Sequence, residues 1–326
     1  MNTITTKLFL VSIALSLLSC NTKDMNFDNY PSVKISNGEV EMKLYLPDQD
    51  KGLYRASRFD WSGVIGSVQY KGHEYFGYWK DTHDPLFHED LTGPVEGYIK
   101  PGLGYDEAEP GGKYIRIGVG LIEKDEKKYS FRNSYKILDH GKWSLEQGKD
   151  WISFTHELES DIGYGYAYNK TIRLKNDGFI IEHSLLNTGE KVIETDQFNH
   201  NFFMIDGEQS GPAFKITFPY PISTEDDPKG FLEVRDNQIT FIKELTGDDA
   251  VFVALKGYSE EVADHQITIV NQKSGAGATY TVDKPLHRMA FWACKTTMSP
   301  ENFIWIDVEP GQEERWRSEY TLFVNP

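Results

Sequence analysis

The strongest constraint on the fold is an alternation of apolar and polar residues that recurs along almost the whole chain. Near the C-terminus, Trp316, Tyr320 and Leu322 alternate with Arg317 and Glu319. Because successive side chains of a strand point to opposite sides, this period of two predicts strands with one buried face. Further strands are predicted at 40–46, 115–121, 129–138, 151–158, 168–174, 179–186, 213–218, 250–255, 266–270 and 288–293. No amphipathic helical stretch of three turns interrupts the pattern, which predicts an all-β protein.

Turn-forming residues separate these runs. Asn-Asp-Gly at 176–178, Asn-Thr-Gly at 187–189 and Thr-Gly-Asp at 246–248 lie between apolar segments. Such tripeptides favour tight connections between antiparallel strands. The sequence has no repeat of fixed period, which argues against a propeller. Roughly fifteen or more strands in one continuous pattern therefore indicate one large sandwich of antiparallel sheets.

One long irregular stretch, residues 73–112, is rich in Gly, Pro, His and acidic residues. A loop of this length inside a compact domain usually carries function. It contains residue types that can ligate a divalent metal, namely Asp81, His83, Asp84, His88, Glu89 and Asp90. Acidic loops are also common on an acidic chain, so the sequence leaves metal binding open and predicts no cofactor.

The charge balance narrows the possible partners. Lys and Arg total 34 and Asp and Glu total 50, which gives a formal net charge of -16. A chain this acidic is a poor ligand for nucleic acid or anionic lipid, because phosphate binding needs clustered cations. There is no Gly-rich phosphate loop after a strand and no nucleophile elbow. Hydrophobic residues make up 39% of the chain, enough to bury a substantial core.

The N-terminus reads as a targeting signal. Lys7 precedes an apolar run over residues 8–18, which Ser19 and Cys20 close. The run is too short to span a bilayer comfortably, and small residues before a cysteine resemble the lipobox of bacterial lipoproteins. We therefore predict a signal peptide at 1–19, a lipidated Cys20 with a polar tether at 20–31, and a single domain at 32–326. An ordinary secretory signal is the alternative.

This interpretation predicts a cell-envelope lipoprotein that meets the membrane only through its lipid anchor. The anchor would lie on the periplasmic face of the outer membrane or on the cell surface, and the sequence does not choose between them. Cys294 is then the only cysteine of the mature domain besides the acylated Cys20, so no disulfide forms within it. Cys294 lies in an apolar run and is expected to be a buried, inert thiol. The oligomeric state is not predicted.

Two segments resemble the aldose 1-epimerase (galactose mutarotase) superfamily. Residues 197–203, Gln-Phe-Asn-His-Asn-Phe-Phe, are similar to its Asn-His-x-x-Phe segment. Residues 299–303, Ser-Pro-Glu-Asn-Phe, followed by Glu-Pro-Gly-Gln at 309–312 and an aromatic-rich final strand, are similar to its C-terminal pattern. Arg58 also stands where that superfamily has an early substrate-binding arginine. The resemblance implies a β-supersandwich of large antiparallel sheets whose concave face binds a sugar or oligosaccharide.

The resemblance also implies a reaction, the interconversion of the anomers of an aldose by acid–base ring opening. His200 would be the general acid at the ring oxygen and His88 a second histidine near the sugar hydroxyls. Arg58 and Asn199 would bind the substrate. Trp61 and Tyr166 are predicted as further sugar contacts, since aromatic faces suit the C–H faces of sugars.

The sequence departs from the superfamily at the general base. The superfamily carries a Glu a few residues before the Pro of the Ser-Pro segment, and Lys295 occupies that position here. A shift of one or two residues finds no carboxylate, and Glu301 lies six positions away. Lys295 could act as the base if burial lowered its pKa. Two alternatives stay open: a carbohydrate lyase or hydrolase on the same scaffold, with or without metal assistance, or a lipoprotein that binds glycans without chemistry.

Overall fold

The computed structural model describes residues 27–98 and 101–325. Its strands are β1 (Ser32–Ser36), β2 (Val40–Tyr45), β3 (Val64–Tyr70), β4 (His73–Glu74), β5 (Val95–Gly97), β6 (Lys113–Arg116), β7 (Gly120–Glu123), β8 (Ile137–Asp139), β9 (Lys142–Gln147), β10 (Trp151–Glu159), β11 (Gly165–Lys175), β12 (Gly178–Asn187), β13 (Ile193–His200), β14 (Phe214–Thr217), β15 (Leu232–Arg235), β16 (Gln238–Phe241), β17 (Ala250–Leu255), β18 (Gln266–Asn271), β19 (Ala276–Val282), β20 (Leu286–Cys294), β21 (Met298–Val308) and β22 (Glu313–Val324). Short 3-10 helices cover Phe27–Asn29, Ile205–Gly207 and Val262–Asp264. In the described ranges, no helix has the length and apolar character needed to cross a membrane.

The described strands pair antiparallel in four sheets, as the sequence predicts for the fold class. The largest has ten strands in the order β15-β16-β14-β18-β19-β22-β12-β11-β10-β9. A five-stranded sheet has the order β17-β20-β21-β13-β5. Two smaller sheets, β1-β2-β3-β4 and β6-β7-β8, complete the domain. The predicted all-β class with large antiparallel sheets is confirmed.

The ten-stranded and five-stranded sheets face each other across the core. On β22 the predicted alternation is confirmed, since Trp316, Ser318, Tyr320 and Leu322 are buried. The Tyr320 hydroxyl donates to Asn201 Oδ1 just beyond β13, at 2.6 Å. The Ser318 hydroxyl is 3.0 Å from the side-chain oxygen of Asn199 on β13. One face of the five-stranded sheet is thereby buried, and its other face is free to form a surface.

Two of the predicted strands are wrong in detail. Residues 115–121 are not one strand but a hairpin, in which Ile115 on β6 pairs with Leu121 on β7. Gly118 and Gly120 adopt positive φ angles of 75° and 139° and turn the chain. In the sequence, Gly118 and Gly120 occupy the positions that polar residues have in an alternating strand, which is why residues 115–121 were predicted as one strand. Of residues 129–138, only the end enters a strand, β8, and residues 129–136 form a loop.

The predicted tether is partly ordered against the domain. The Phe27 ring centroid lies 4.5 Å from that of Tyr78. The Tyr30 ring lies 5.3 Å from the imidazole of His83. Residues 27–31 therefore pack on the sandwich rather than extending from it. The predicted signal peptide and the lipidation site Cys20 lie outside the described residues.

Candidate functional site

The free face of the five-stranded sheet carries a row of polar and aromatic side chains. Phe198 on β13 pairs in register with Phe303 on β21. His200 and Glu301 lie two residues farther along the same two strands, so the period of two puts them on the same face. Asn199, between Phe198 and His200, points the other way into the core.

This face is the floor of a cleft of about 1170 Å³. That volume exceeds the roughly 300–1,000 Å³ of ordinary small-molecule sites. The walls come from loops at 79–89, 129–132 and 247–249 and from the first residues of β17. The polar lining includes Arg58, Lys80, Asp81, His88, Glu89, Arg116, Arg132, His200, Lys229, Asp248, Asp249, Arg288, Lys295 and Glu301, and the aromatic lining includes Phe59, Trp79, Phe87, Tyr98, Tyr129, Phe131, Phe198, Phe252, Trp292 and Phe303. Part of the irregular stretch at 73–112 thus reaches the cleft, as expected of a functional loop.

His200 and Glu301 form a buried acid–base pair at the floor. Nε2 of His200 lies 3.4 Å from Oε1 of Glu301, and each residue is only about 5% exposed. Burial raises the pKa of the Glu301 carboxyl to about 7, although the Arg58 charge opposes the shift. Burial lowers the pKa of His200 well below its usual value, and Arg58 and His88 add to that shift. At neutral pH the Glu301 carboxyl is therefore about half protonated, and the one-proton state of the pair has its proton on Glu301 rather than on His200.

Aromatic rings fix the His200 imidazole. Phe202 stacks on it with ring centroids 3.8 Å apart, and Phe59 meets it edge-on at 5.6 Å. Phe202 has a φ of 46°, a left-handed conformation that is unusual for an aromatic residue. Such backbone strain is more frequent at functional sites than elsewhere. Nδ1 of His200 is buried and has no hydrogen-bond partner among the described residues. Nε2, the ring nitrogen that faces Glu301, is therefore the one placed for proton transfer.

Arg58 and His88 lie beside this pair. An Arg58 Nη1–H donates to Nδ1 of His88 at 3.0 Å, which requires a neutral imidazole because an arginine has no acceptor. The pKa of His88 is lowered to about 4, chiefly by burial and also by the charges of Arg58, Lys80 and Arg132, against the opposing charge of Glu89. His88 is thus a neutral hydrogen-bonding group at neutral pH.

Lys295, predicted as the general base, lies in the turn between β20 and β21 at the rim of the cleft. Its side chain is exposed. The predicted role as general base requires a buried ammonium, and the structure does not bury this one. The neighbouring Cys294 is half-buried and lines the cleft, and burial raises the pKa of its thiol. A raised pKa keeps the sulfur protonated and unreactive.

Three predicted substrate contacts lie in the core instead of in the cleft lining. Asn199 donates to Glu96 Oε1 at 3.1 Å and accepts from Ser318. The Trp61 indole N–H donates to the Ala56 carbonyl at 2.9 Å. The Tyr166 hydroxyl lies 3.0 Å from Nδ1 of His156 and accepts the Gly118 N–H at 3.2 Å. Their polar atoms already have partners inside the protein, and none of the three lines the cleft.

The acidic loop is built from internal hydrogen bonds. His83 Nδ1 lies 2.9 Å from Asp90 Oδ1, and Asp90 Oδ2 accepts the backbone N–H of Asp84 at 2.6 Å. Tyr78 donates its hydroxyl to the same carboxylate. Across the described ranges, no group of three or more His, Cys, Asp or Glu side chains is arranged to hold a metal ion. Of the ligand types noted in the sequence, His83, Asp84 and Asp90 are therefore used for loop structure.

Sequence reasoning missed Glu301 as a site residue, together with Arg288, Phe303 and Arg132. Arg288 on β20 lies over the Phe303 ring, 4.0 Å from its centroid. The missed signal is the period of two along β21, which puts Glu301 and Phe303 on one face. It could not be used because the partner strand, β13, lies about a hundred residues earlier in the chain.

Comparisons with solved structures place this architecture among known folds. The GalM/aldose epimerase homologue from C. elegans superposes with a TM-score of 0.56 and 13% identity, covering 91% of this chain and 100% of that one. A galactose mutarotase-like protein from Lactobacillus casei gives 0.53 and 13%, covering 90% and 100%. The chain has the galactose mutarotase-like fold. The Slr1438 protein from Synechocystis shares it as well, with a TM-score of 0.56 and 11% identity over 90% of this chain and 96% of that one.

At such identities the likeness shows the fold of this chain and nothing about its reaction. No protein-family model matches the chain, and no curated protein matches it. The reaction has to be argued from the cleft itself.

Proposed function

We propose that this mutarotase-like protein interconverts the anomers of a sugar by acid–base ring opening. The observation that carries the proposal is the buried His200–Glu301 pair at 3.4 Å on the floor of the cleft. Ring opening removes the proton of the anomeric hydroxyl and delivers a proton to the ring oxygen, so the site needs a base and an acid at once. Closure on the other face of the carbonyl gives the other anomer.

The one-proton state of the pair supplies both groups. With the proton on Glu301, the carboxylic acid donates to one sugar oxygen while neutral His200 accepts from the other. The proton count of the pair is unchanged after opening, and ring closure runs the same transfers backwards. The resemblance assigns His200 as the acid. With the proton on Glu301, Glu301 is instead the acid of ring opening, and His200 acts as the acid only when the ring closes.

Glu301 replaces Lys295 as the partner of His200 in this proposal. Glu301 is buried, has a pKa close to neutrality and faces the imidazole, whereas Lys295 is exposed at the rim. Arg58 and neutral His88 provide hydrogen-bond donors beside the pair, suited to sugar hydroxyls, because Nδ1 of His88 accepts from Arg58 and its Nε2 then carries the proton. Phe59 and Trp292 border His200 and offer apolar surfaces for the sugar ring.

A lyase is the second candidate, because a buried cation adjoins the pair. Arg58 is close enough to both His200 and Glu301 to shift their pKa values. A guanidinium in that position could neutralise the enolate-like charge that develops when a base removes a carbon-bound proton. Arg58 would then take the place that a metal ion has in other designs.

The proposal predicts that the soluble domain, expressed from about residue 25, accelerates mutarotation. Freshly dissolved α-anomers of glucose, galactose and mannose and of their 6-carboxylate forms are followed by polarimetry, with heat-denatured protein as the control. A first-order rate that rises in proportion to enzyme concentration is expected on at least one sugar. No acceleration on any of them would overturn the proposal. Ultraviolet absorbance from an unsaturated product with acidic oligosaccharides would favour the lyase.

The catalysed rate should also fall as the pH rises above about 7. Glu301 has a raised pKa of about 7, so the one-proton state is lost through that pH as the carboxyl ionises. On the acid side the rate should hold until His200 is protonated, well below its usual pKa. The measurement is the catalysed rate from pH 4 to pH 9 in constant ionic strength, after subtraction of the buffer-catalysed rate. A rate that keeps rising from pH 7 to pH 9 would contradict the one-proton mechanism.

A further inference from the structure

One end of the cleft gathers cationic side chains around two aromatic rings. The guanidinium carbons of Arg58 and Arg132 lie 4.5 Å and 5.6 Å from the centroid of the same Phe131 ring. The Lys80 ammonium lies 4.9 Å from the centroid of Phe87. We call Arg58, Lys80 and Arg132 the cationic end. Three positive groups so close together repel one another unless an anion lies between them.

His88 lies at the centre of this cluster. Its ring is 5.7 Å from Phe131 and 4.6 Å from Phe87, so the two aromatic rings connect it to all three cations. It accepts a hydrogen bond from Arg58 and is neutral at neutral pH. His88 therefore adds a hydrogen-bonding group to the cationic end without adding charge.

The carboxylates nearby do not balance these charges. Glu89 lies 3.8 Å from Nη1 of Arg58 and 3.4 Å from the Lys80 ammonium, so one carboxylate serves two cations. Asp81 lines the cleft but is exposed and forms no ion pair in the described part of the chain. Arg132 likewise has no carboxylate within ion-pair distance there. The cationic end thus carries an excess of positive charge on a chain whose net charge is -16.

Burying the Arg58 guanidinium costs free energy that a purely structural role does not explain. Its side chain is only 17% exposed, and its nearest carboxylate contact is longer than a hydrogen bond. A buried guanidinium needs partners for its donors, and its planar fork matches the oxygens of a carboxylate, sulfate or phosphate. The Arg58 guanidinium also packs 4.5 Å from Phe59, the ring that borders His200. The cationic end therefore adjoins the reacting groups.

We infer that the sugar bound in this cleft carries an anionic group, a carboxylate, sulfate ester or phosphate ester, held by Arg58 and Arg132 with Lys80 beside them. The inference rests on the proposed function for the identity of the ligand as a sugar. The inference goes beyond the proposed function because it gives the sugar a charge and an orientation. The anionic group binds at the cationic end, and the anomeric carbon faces His200 and Glu301.

Equilibrium binding tests the inference separately from turnover. Calorimetry measures the affinity for glucose, galactose and mannose, and for the 6-carboxylate, 6-sulfate and 6-phosphate form of each. We expect at least one anionic form to bind tenfold or more tightly than its neutral parent, with an affinity that falls as salt is raised. The three anionic series distinguish the chemical source of the charge. Equal affinity for neutral and anionic forms, or no binding of any, would overturn the inference.

A matched pair of variants locates the effect. Arg132→Gln removes a cation that does not touch His200 or Glu301, and it should weaken binding of the preferred anionic sugar roughly tenfold. Binding of the neutral parent should be unchanged. Arg235→Gln, on an exposed strand outside the cleft, is the control and should have no effect. An equal loss for neutral and anionic ligands in Arg132→Gln would show a structural role and contradict the inference.

The two proposals fail in different ways. Anion-selective binding without any mutarotation would refute the proposed reaction and leave the ligand class standing. Mutarotation of neutral sugars with no preference for anionic ones would refute the anionic ligand and leave the proposed reaction standing.

Discussion

Glu301→Gln should slow the catalysed interconversion of anomers by roughly 10²–10⁴-fold, the usual cost of losing a general acid or base. The amide keeps the size and a hydrogen-bonding oxygen of the carboxyl, but it cannot give up or accept a proton. His200→Ala should cause a loss of similar size. Because the two side chains act as one proton-holding unit, the double variant should be little worse than the more damaging single variant.

Polarimetric rates at pH 6.5 measure these losses, with Glu309→Gln as the matched control. Glu309 is an exposed glutamate just beyond the end of β21, so the same chemical change there should leave the rate unaltered. Lys295→Met discriminates between the two possible bases. A greater loss in Lys295→Met than in Glu301→Gln would overturn the assignment of Glu301 and restore the lysine predicted from the sequence.

The Glu301→Gln variant should become more stable while it loses activity. The folded-state pKa of Glu301 is about 7, above its ordinary value of 4.5, so the folded protein loses stability as the pH rises and this carboxyl ionises. Glutamine removes that cost, and the free energy of unfolding at pH 8 should rise by about 1–3 kcal/mol. Below pH 4.5 the gain should vanish. Urea unfolding at both pH values gives the comparison, and a destabilised variant at pH 8 would show that Glu301 is mainly structural.

The fold could be predicted from the sequence because its signal is local. The alternation in β22 depends only on which face of one strand is buried, and the turn at 176–178 is encoded in three neighbouring residues. Local signals also mislead, as at 115–121, where two glycines gave a hairpin the appearance of one strand. That error concerns only the connection within a short segment, and the predicted all-β class does not depend on it.

The site could be predicted only in part, because its geometry is set by long-range pairing. Position 200 was singled out by resemblance, and the structure places it at the cleft floor. Glu301 meets it through the register of β13 against β21, which no local pattern specifies. Asn199 stands beside His200 in the sequence but on the opposite face of the strand. Closeness to His200 in the sequence therefore favoured Asn199 wrongly and passed over Glu301. The alternation of side chains between the two faces of a strand explains both positions.

Lys170→Met should lower the free energy of unfolding by about 3–5 kcal/mol, because it leaves buried carboxylates without their cation. Lys170 is fully buried on β11 and donates to the Ser62 carbonyl at 2.8 Å and to Glu96. Its ammonium is also 3.9 Å from Asp60 Oδ2, and both acids are fully buried. Burial raises the pKa of Asp60 to about 7, with the Glu96 charge raising it further and the Lys170 charge opposing the shift.

This buried network connects the two sides of the candidate site. Asp60 follows Arg58 by two residues, and Glu96 on β5 accepts a hydrogen bond from Asn199, the neighbour of His200. The Lys170 ammonium lies between these carboxylates and holds the Arg58 segment against β13. We therefore expect Lys170→Met to reduce the catalysed rate as well, through displacement of Arg58 relative to His200.

The matched control is Lys175→Met on the same strand. Lys175 pairs with Glu319, but its side chain is 38% exposed, so loss of that pair should cost no more than about 1 kcal/mol. Urea unfolding with an unchanged m-value gives both numbers.

The pH dependence identifies the cause of the Lys170→Met loss. Without the lysine charge that opposes the shift, the folded-state pKa of Asp60 should lie still farther above its unfolded value, so the folded variant binds more protons and its stability falls as the pH rises. The deficit relative to the wild type should therefore be larger at pH 8 than at pH 5, and Glu96→Gln added to Lys170→Met should recover part of it. A deficit that is the same at both pH values would mean that lost packing of the lysine stem, and not the unpaired carboxylates, destabilises the variant.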